Sequence, residues 1–125
     1  MKNTYDIRYL EVKYRVDLQR ISELTLIPMP TLYSWHSRIT PKPFVLDLID
    51  FRLKSYRNGE PEIQVPDPLP TIREMKEKFC FTNRDFGKYI GVTEATIYNW
   101  CSGFGGCKPY IQWLIFFKLE SEKFS

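Results

Sequence analysis

The chain is written twice, and this constrains its folding more than any other feature. A shift of 65 residues aligns Ile7, Arg8, Lys13, Thr31, Tyr33, Trp35 and Ser37 with Ile72, Arg73, Lys78, Thr96, Tyr98, Trp100 and Ser102. One inserted residue later, a shift of 66 aligns Lys42, Pro43, Leu48, Ile49, Phe51 and Leu53 with Lys108, Pro109, Leu114, Ile115, Phe117 and Leu119. These are 13 identities over 43 compared positions, at 7–37 and 42–53. Most fall on apolar positions or helix ends, so chance is a poor explanation. With 125 residues, 43% hydrophobic and 16% aromatic, the chain can build one ordinary core or two small ones, and it is not disordered.

The periodicity within each copy is helical. Asp6 to Arg15 forms an opening helix, with Asp6 as cap and Ile7, Leu10 and Tyr14 on one face; its twin runs from Thr71 to Phe79, with Ile72, Met75 and Phe79 at the same places. Pro43 and Pro109 each start a closing helix in the first turn, where a missing amide hydrogen costs little. Between the copies, Asn58 to Pro70 holds Gly59 and prolines at 61, 66, 68 and 70, a composition that stops helices and favours extended geometry. The expected class is all-α: two tandem four-helix modules, 1–57 and 71–125, joined by a Pro-rich linker at 58–70. Two readings of that linker stand. At about 3.1 Å per residue it spans roughly 40 Å, similar to the ~34 Å between successive major-groove faces of a duplex; alternatively Ile63, Val65 and Leu69 pack it down and fuse the modules.

The second and third helices of the second copy carry the most specific signal. Thr82 caps a helix from Asn83 to Ile90, with Phe86 and Ile90 inward and the small Gly87 where two helices approach closely. Gly91 then takes the left-handed turn at low cost, Thr93 caps the next helix, and Glu94 complements its positive end. Ile97 and Trp100 share an apolar face, assigned with Trp35 to the core, which leaves Glu94, Ala95, Tyr98 and Asn99 elsewhere on the cylinder. Residues 81–100, Phe-Thr-Asn-Arg-Asp-Phe-Gly-Lys-Tyr-Ile-Gly-Val-Thr-Glu-Ala-Thr-Ile-Tyr-Asn-Trp, resemble the helix-turn-helix of phage repressor and Cro-type proteins, with the small residue at Gly87, the turn glycine at Gly91 and apolar positions at Phe86, Val92, Ile97 and Trp100.

That resemblance implies double-stranded DNA as partner, with the leading end of the second motif helix in the major groove. Glu94, Ala95 and Asn99 then face base edges: Glu accepts from the cytosine amino group, Asn bonds adenine twice, and Ala touches a thymine methyl. Thr82, Asn83, Thr93, Thr96, Tyr98, Lys88 and Lys108 would serve phosphates. The plainer reading makes Thr82 and Thr93 caps, Glu94 and Asn99 solvated positions, and Tyr33 and Tyr98 packing partners of the tryptophans. The first copy is blunter. It has Leu26 at the glycine position and Pro28-Met29-Pro30 at the helix start, without a capping hydroxyl or polar readers. It either contacts phosphates through Thr31, Tyr33, Ser34, His36, Arg38 and Lys42 or docks a protein.

The closing helix from Tyr110 to Leu119 is apolar nearly all round, and Trp113 and Phe116 stand where the first copy has Asp47 and Asp50. They are the expected homodimer or inter-module surface, in keeping with two-fold operators. Net charge is +3, with 10 Lys/Arg against 7 Asp/Glu in residues 1–60 and 8 against 8 in residues 61–125. Cys80, Cys101 and Cys107 form no Cys-x-x-Cys, and the lone His36 completes no zinc site, so neither disulfide nor metal is expected and the cysteines are read as reduced packing residues. No apolar run is long enough to span a bilayer and the first twenty residues carry charges throughout, which points to a cytoplasmic protein without a membrane partner. No phosphate-cradling loop, nucleophile with base, or carboxylate pair suggests an enzyme, a cofactor or a small-molecule substrate, and Gly103-Phe-Gly-Gly106 reads as a flexible loop. A transcriptional regulator of phage or mobile-element type is the leading expectation. The alternatives are a protein-binding helix-turn-helix scaffold, such as a phage-encoded inhibitor of a host defence complex, and a DNA-packaging or replication factor.

Overall fold

A computed structural model describes residues 5–103 and 106–122, and within them the chain is all-α, with eight helices and no strand. Helix α1 (Ile7–Tyr14) starts at Asp6, whose carboxylate accepts from the Tyr9 amide, and α2 (Leu18–Thr25) starts at Asp17, which accepts from Arg20. Neither α3 (Met29–Ser37) nor α4 (Pro43–Arg57) has a side-chain cap; each carries a proline in its first turn, where φ is already helical. In α5 (Ile72–Lys78) the Thr71 hydroxyl accepts from the Glu74 amide while the Glu74 carboxylate accepts from the Thr71 amide, so two otherwise orphaned donors are satisfied. Thr82 opens α6 (Asn83–Ile90) and Thr93 opens α7 (Glu94–Ser102) in the same one-sided way, and α8 (Pro109–Glu122) begins at its proline.

The chain divides into two compact units, Met1–Glu62 and Ile63–Ser125. The division falls inside the Pro-rich stretch rather than at its ends, because both ends are tied down. The buried Arg52 guanidinium, 3% exposed, donates to Glu62 at 2.6 Å and to the Leu24 carbonyl at 3.0 Å, holding residue 62 to α4. At the other end Gln112 of α8 donates to the Pro70 carbonyl at 3.1 Å. The first unit buries Ile7, Leu10 and Tyr14 of α1, Ile21 and Leu24 of α2, Leu32 of α3, and Val45, Leu46, Leu48, Ile49 and Leu53 of α4. The second buries Ile72, Met75, Phe86, Ile90 and Ile97, then half of α8.

Turns recur at matching places in the two units. Arg15 (φ 54°) and Cys80 (φ 60°), 65 residues apart, are both left-handed, and so are Leu26 (φ 66°) and Gly91 (φ 99°). Behind the first pair the same wide turn closes: the Val16 amide donates to Glu11 at 3.2 Å and the Phe81 amide to Lys76 at 2.9 Å. Three non-glycine residues in a conformation costing roughly 1–2 kcal/mol each show that packing, not local preference, sets these turns.

Several expectations need correction. Trp35 and Trp100 are half-buried rather than core; the residues that α3 and α7 bury are Leu32 and Ile97, because each third helix turns only a narrow face inward. Trp113, expected with Phe116 on an open homodimer or inter-module surface, is 2% exposed, stacked on Phe116 at 6.2 Å and edge-on to Phe117 at 5.7 Å, and Phe116 is half-buried, so the indole is covered within the chain itself. In the first unit Asp47 and Asp50 instead accept hydrogen bonds from Tyr5 (2.8 Å) and from Tyr14 and Lys13 (2.7 and 3.0 Å). Cys80 is exposed, while Cys101 and Cys107 are half-buried, and all three are free thiols. Of the expected loop at 103–106, Phe104 and Gly105 lie outside the described residues.

Candidate nucleic-acid interface

Helices α6 and α7 share the most extensive contact of any helix pair, and Gly87 explains how they come so close. A Cβ at Gly87 would lie 2.7 Å from the Val92 carbonyl oxygen and 3.3 Å from the Thr93 carbonyl carbon, so the start of α7 rests on the bare backbone of α6. The Gly87 carbonyl accepts from both the Gly91 amide (2.7 Å) and the Val92 amide (2.9 Å), which closes α6 and turns the chain at once. Thr93 then caps α7: its hydroxyl accepts from the Thr96 amide at 3.1 Å and pairs with the Thr96 hydroxyl at 2.9 Å.

This construction fixes which faces of α7 meet solvent. Ile97 is fully buried, and the remaining surface presents Glu94, Ala95, Tyr98 and Asn99, all exposed, with Tyr98 at 56%. The three residues expected to meet base edges therefore lie on the exposed side of one short helix. Those expected to meet phosphates divide. Thr82 and Thr93 are exposed and already act as caps; Thr96 is half-buried with its hydroxyl held by Thr93; Lys88 is exposed on α6; Lys108 is exposed at the head of α8. Asn83 is half-buried and its side-chain oxygen accepts from Lys76 at 2.8 Å, so it is engaged within the unit rather than presented. Arg84, exposed in the first turn of α6, is a cation the sequence pattern did not single out.

The equivalent surface of the first unit differs. Met29, Pro30 and Ser34 occupy the places of Glu94, Ala95 and Asn99, and α3 has no side-chain cap. Where the second unit has Gly87, this one has Ser22, whose hydroxyl donates to the Ile27 carbonyl at 2.6 Å; the buried Thr25 hydroxyl accepts from the Ile27 amide at 3.3 Å. The turn is thus held by side chains in addition to the backbone bond from the Leu26 amide to the Ser22 carbonyl at 2.8 Å. Tyr33 is 59% exposed, Arg38 and Lys42 are exposed, and Thr31 and Ser34 are half-buried. His36 is not a free phosphate donor: its Nε2 pairs with Glu11 of α1 at 2.9 Å, and its carbonyl accepts from Arg8 Nε at 2.7 Å. Arg8 carries no motif signal of its own, and its identity with Arg73 in the repeat is the one mark the sequence gives it.

Among the described residues no three His, Cys, Asp or Glu side chains are grouped to hold a metal ion, and no helix is long and apolar enough to cross a membrane. No family model, curated protein or solved structure matches the chain.

Proposed function

We propose that the chain comprises two tandem helix-turn-helix modules and is a sequence-specific DNA-binding regulator, similar to small phage or mobile-element repressors, with α7 as the helix that enters the major groove. One observation carries this reading: Glu94, Ala95 and Asn99 stand exposed on a helix whose inner side is sealed by Ile97 and whose start is fixed by the Thr93 cap and the Gly87 contact. A reading helix needs that combination, since base contacts hold only if the backbone bearing them does not shift. Asn99 offers the paired donor and acceptor that match adenine, Glu94 an acceptor for cytosine, and Ala95 a methyl contact for thymine. Tyr98 and Lys88 are exposed and carry groups suited to phosphate oxygens.

Selection of duplexes from a random-sequence library by the intact chain tests the proposal. A single recovered motif is expected, and Asn99→Ala should weaken binding to it by about 1 to 3 kcal/mol while leaving scrambled duplex unchanged. Recovery of no motif sinks the proposal. A second reading, that the scaffold binds protein, draws on the charge balance of the second half, 8 basic against 8 acidic residues in 61–125. It predicts no retention of duplex even at low salt.

A further inference from the structure

We infer that the first unit grips the phosphate backbone of duplex DNA without reading its sequence, through Arg8, Arg38 and Lys42 gathered at the trailing end of α3. The inference rests on the duplex-binding reading above and assigns the first unit its share of the same partner.

The leading end of α3 cannot do what that of α7 does. Pro28 at its cap and Pro30 in its first turn have no amide hydrogen, so the helix start offers few free donors to a phosphate. Met29 and Pro30 carry no polar group for a base edge. The trailing end is different. Arg8 reaches across from α1 to the His36 carbonyl at 2.7 Å, Arg38 is the C-cap of α3, and Lys42 is the residue that opens α4.

All three are exposed, and among the described residues none makes an ion pair. The carboxylate of Glu11 is hydrogen-bonded by His36, and that of Asp50 by Lys13 and Tyr14, so these acids are engaged by other side chains and not by the three cations. Tyr33, 59% exposed, repeats the exposed Tyr98 of the second unit, with a seryl hydroxyl one turn on donating to its carbonyl in both (Ser37 at 2.9 Å, Ser102 at 2.7 Å). What the units share on this helix is therefore the aromatic hydroxyl, while the base-reading side chains are confined to one of them. Cations and hydroxyls without base readers give affinity that does not depend on sequence.

The test measures affinity of the intact chain for two short duplexes, one recovered by selection and one scrambled, as salt is raised. Each phosphate contact contributes about 0.9 to the slope of log affinity against log salt. Arg38→Gln/Lys42→Gln should lower that slope by about 1.8 and weaken both duplexes by the same factor. The charge-keeping Arg38→Lys/Lys42→Arg chain should retain the wild-type slope, which separates loss of charge from loss of fold. An unchanged slope in the glutamine variant overturns the inference; if Asn99→Ala still weakens the selected duplex and leaves the scrambled one unchanged, the reading of α7 survives. Loss confined to the selected duplex also overturns it, because the cations would then be reading sequence. Wild-type protein that retains neither duplex at low salt overturns both and leaves an acidic protein surface as the match for these cations.

Discussion

Gly87→Ala tests the contact on which the whole α6–α7 geometry stands. Gly87 lies inside a helix at ordinary helical φ, so by propensity alone alanine should stabilise it by about 1 kcal/mol. The added methyl would instead sit 2.7 Å from the Val92 oxygen, with Thr93 and Glu94 backbone atoms at 3.3 and 3.4 Å. These obstacles are main chain at a turn and cannot swing aside, which places the cost at the upper end of the roughly 1–3 kcal/mol typical of overpacking. The expected net loss is about 1–2 kcal/mol, a factor of roughly 5–30 in the closed-to-open ratio. Amide exchange of the intact chain, followed in peptides over 83–102 and, as reference, over 18–37, reads it unit by unit. Gly59→Ala is the control: its φ of 70° is left-handed but its added methyl meets nothing within 4 Å, so it should cost only the conformational penalty of about 1 kcal/mol. If Gly87→Ala leaves 83–102 equally or better protected, the close approach is not what seats α7.

Other expectations follow from single sites. Cys80 is exposed and left-handed at φ 60°, so Cys80→Gly should raise the stability of the second unit by about 0.5–1 kcal/mol in urea melts; a decrease would mean the turn is unstrained. Burial pushes the Cys107 thiol up to about 12, so at pH 8 a disulfide reagent should modify Cys80 quickly and Cys107 only as the protein opens; equal rates would contradict the packing. Burial works to raise the Glu122 carboxyl, but hydrogen bonds from Tyr89 and Lys118 outweigh it and hold the group below the usual glutamate range. The unfolded chain therefore binds this proton at higher pH than the folded one, so the contribution is complete above the ordinary glutamate value and lost as pH falls through the folded one. The melting temperature of wild type should exceed that of Glu122→Gln at neutral pH, and the gap should close in acid; a gap that widens in acid would reverse the assignment.

What could be read from the sequence was what local chemistry decides. Asp6, Thr71, Thr82 and Thr93 cap the helices their spacing suggested, because a short oxygen-bearing side chain before an apolar period has one favourable use. Gly91 and Gly87 showed their roles because nothing else fits a left-handed turn or a bare crossing equally well. Depth was not legible. Trp100 shares a face with Ile97, yet spacing gives direction around a helix and not distance from solvent, and only Ile97 is buried. The pairing of His36 with Glu11 and the reach of Arg8 to the end of α3 depend on how α1 and α3 pack, and residues so far apart in sequence leave no local pattern. Arg15 and Cys80 were equally silent, since a strained turn imposed by packing selects no residue type that marks it.

The most direct measurement is an amide NMR titration of the intact chain with the selected duplex. The account predicts that resonances of Glu94, Ala95 and Asn99 move furthest, together with side-chain amide signals of Asn99, and that Ile97 stays nearly still. A saturating titration in which α7 does not respond while another helix face does would contradict it.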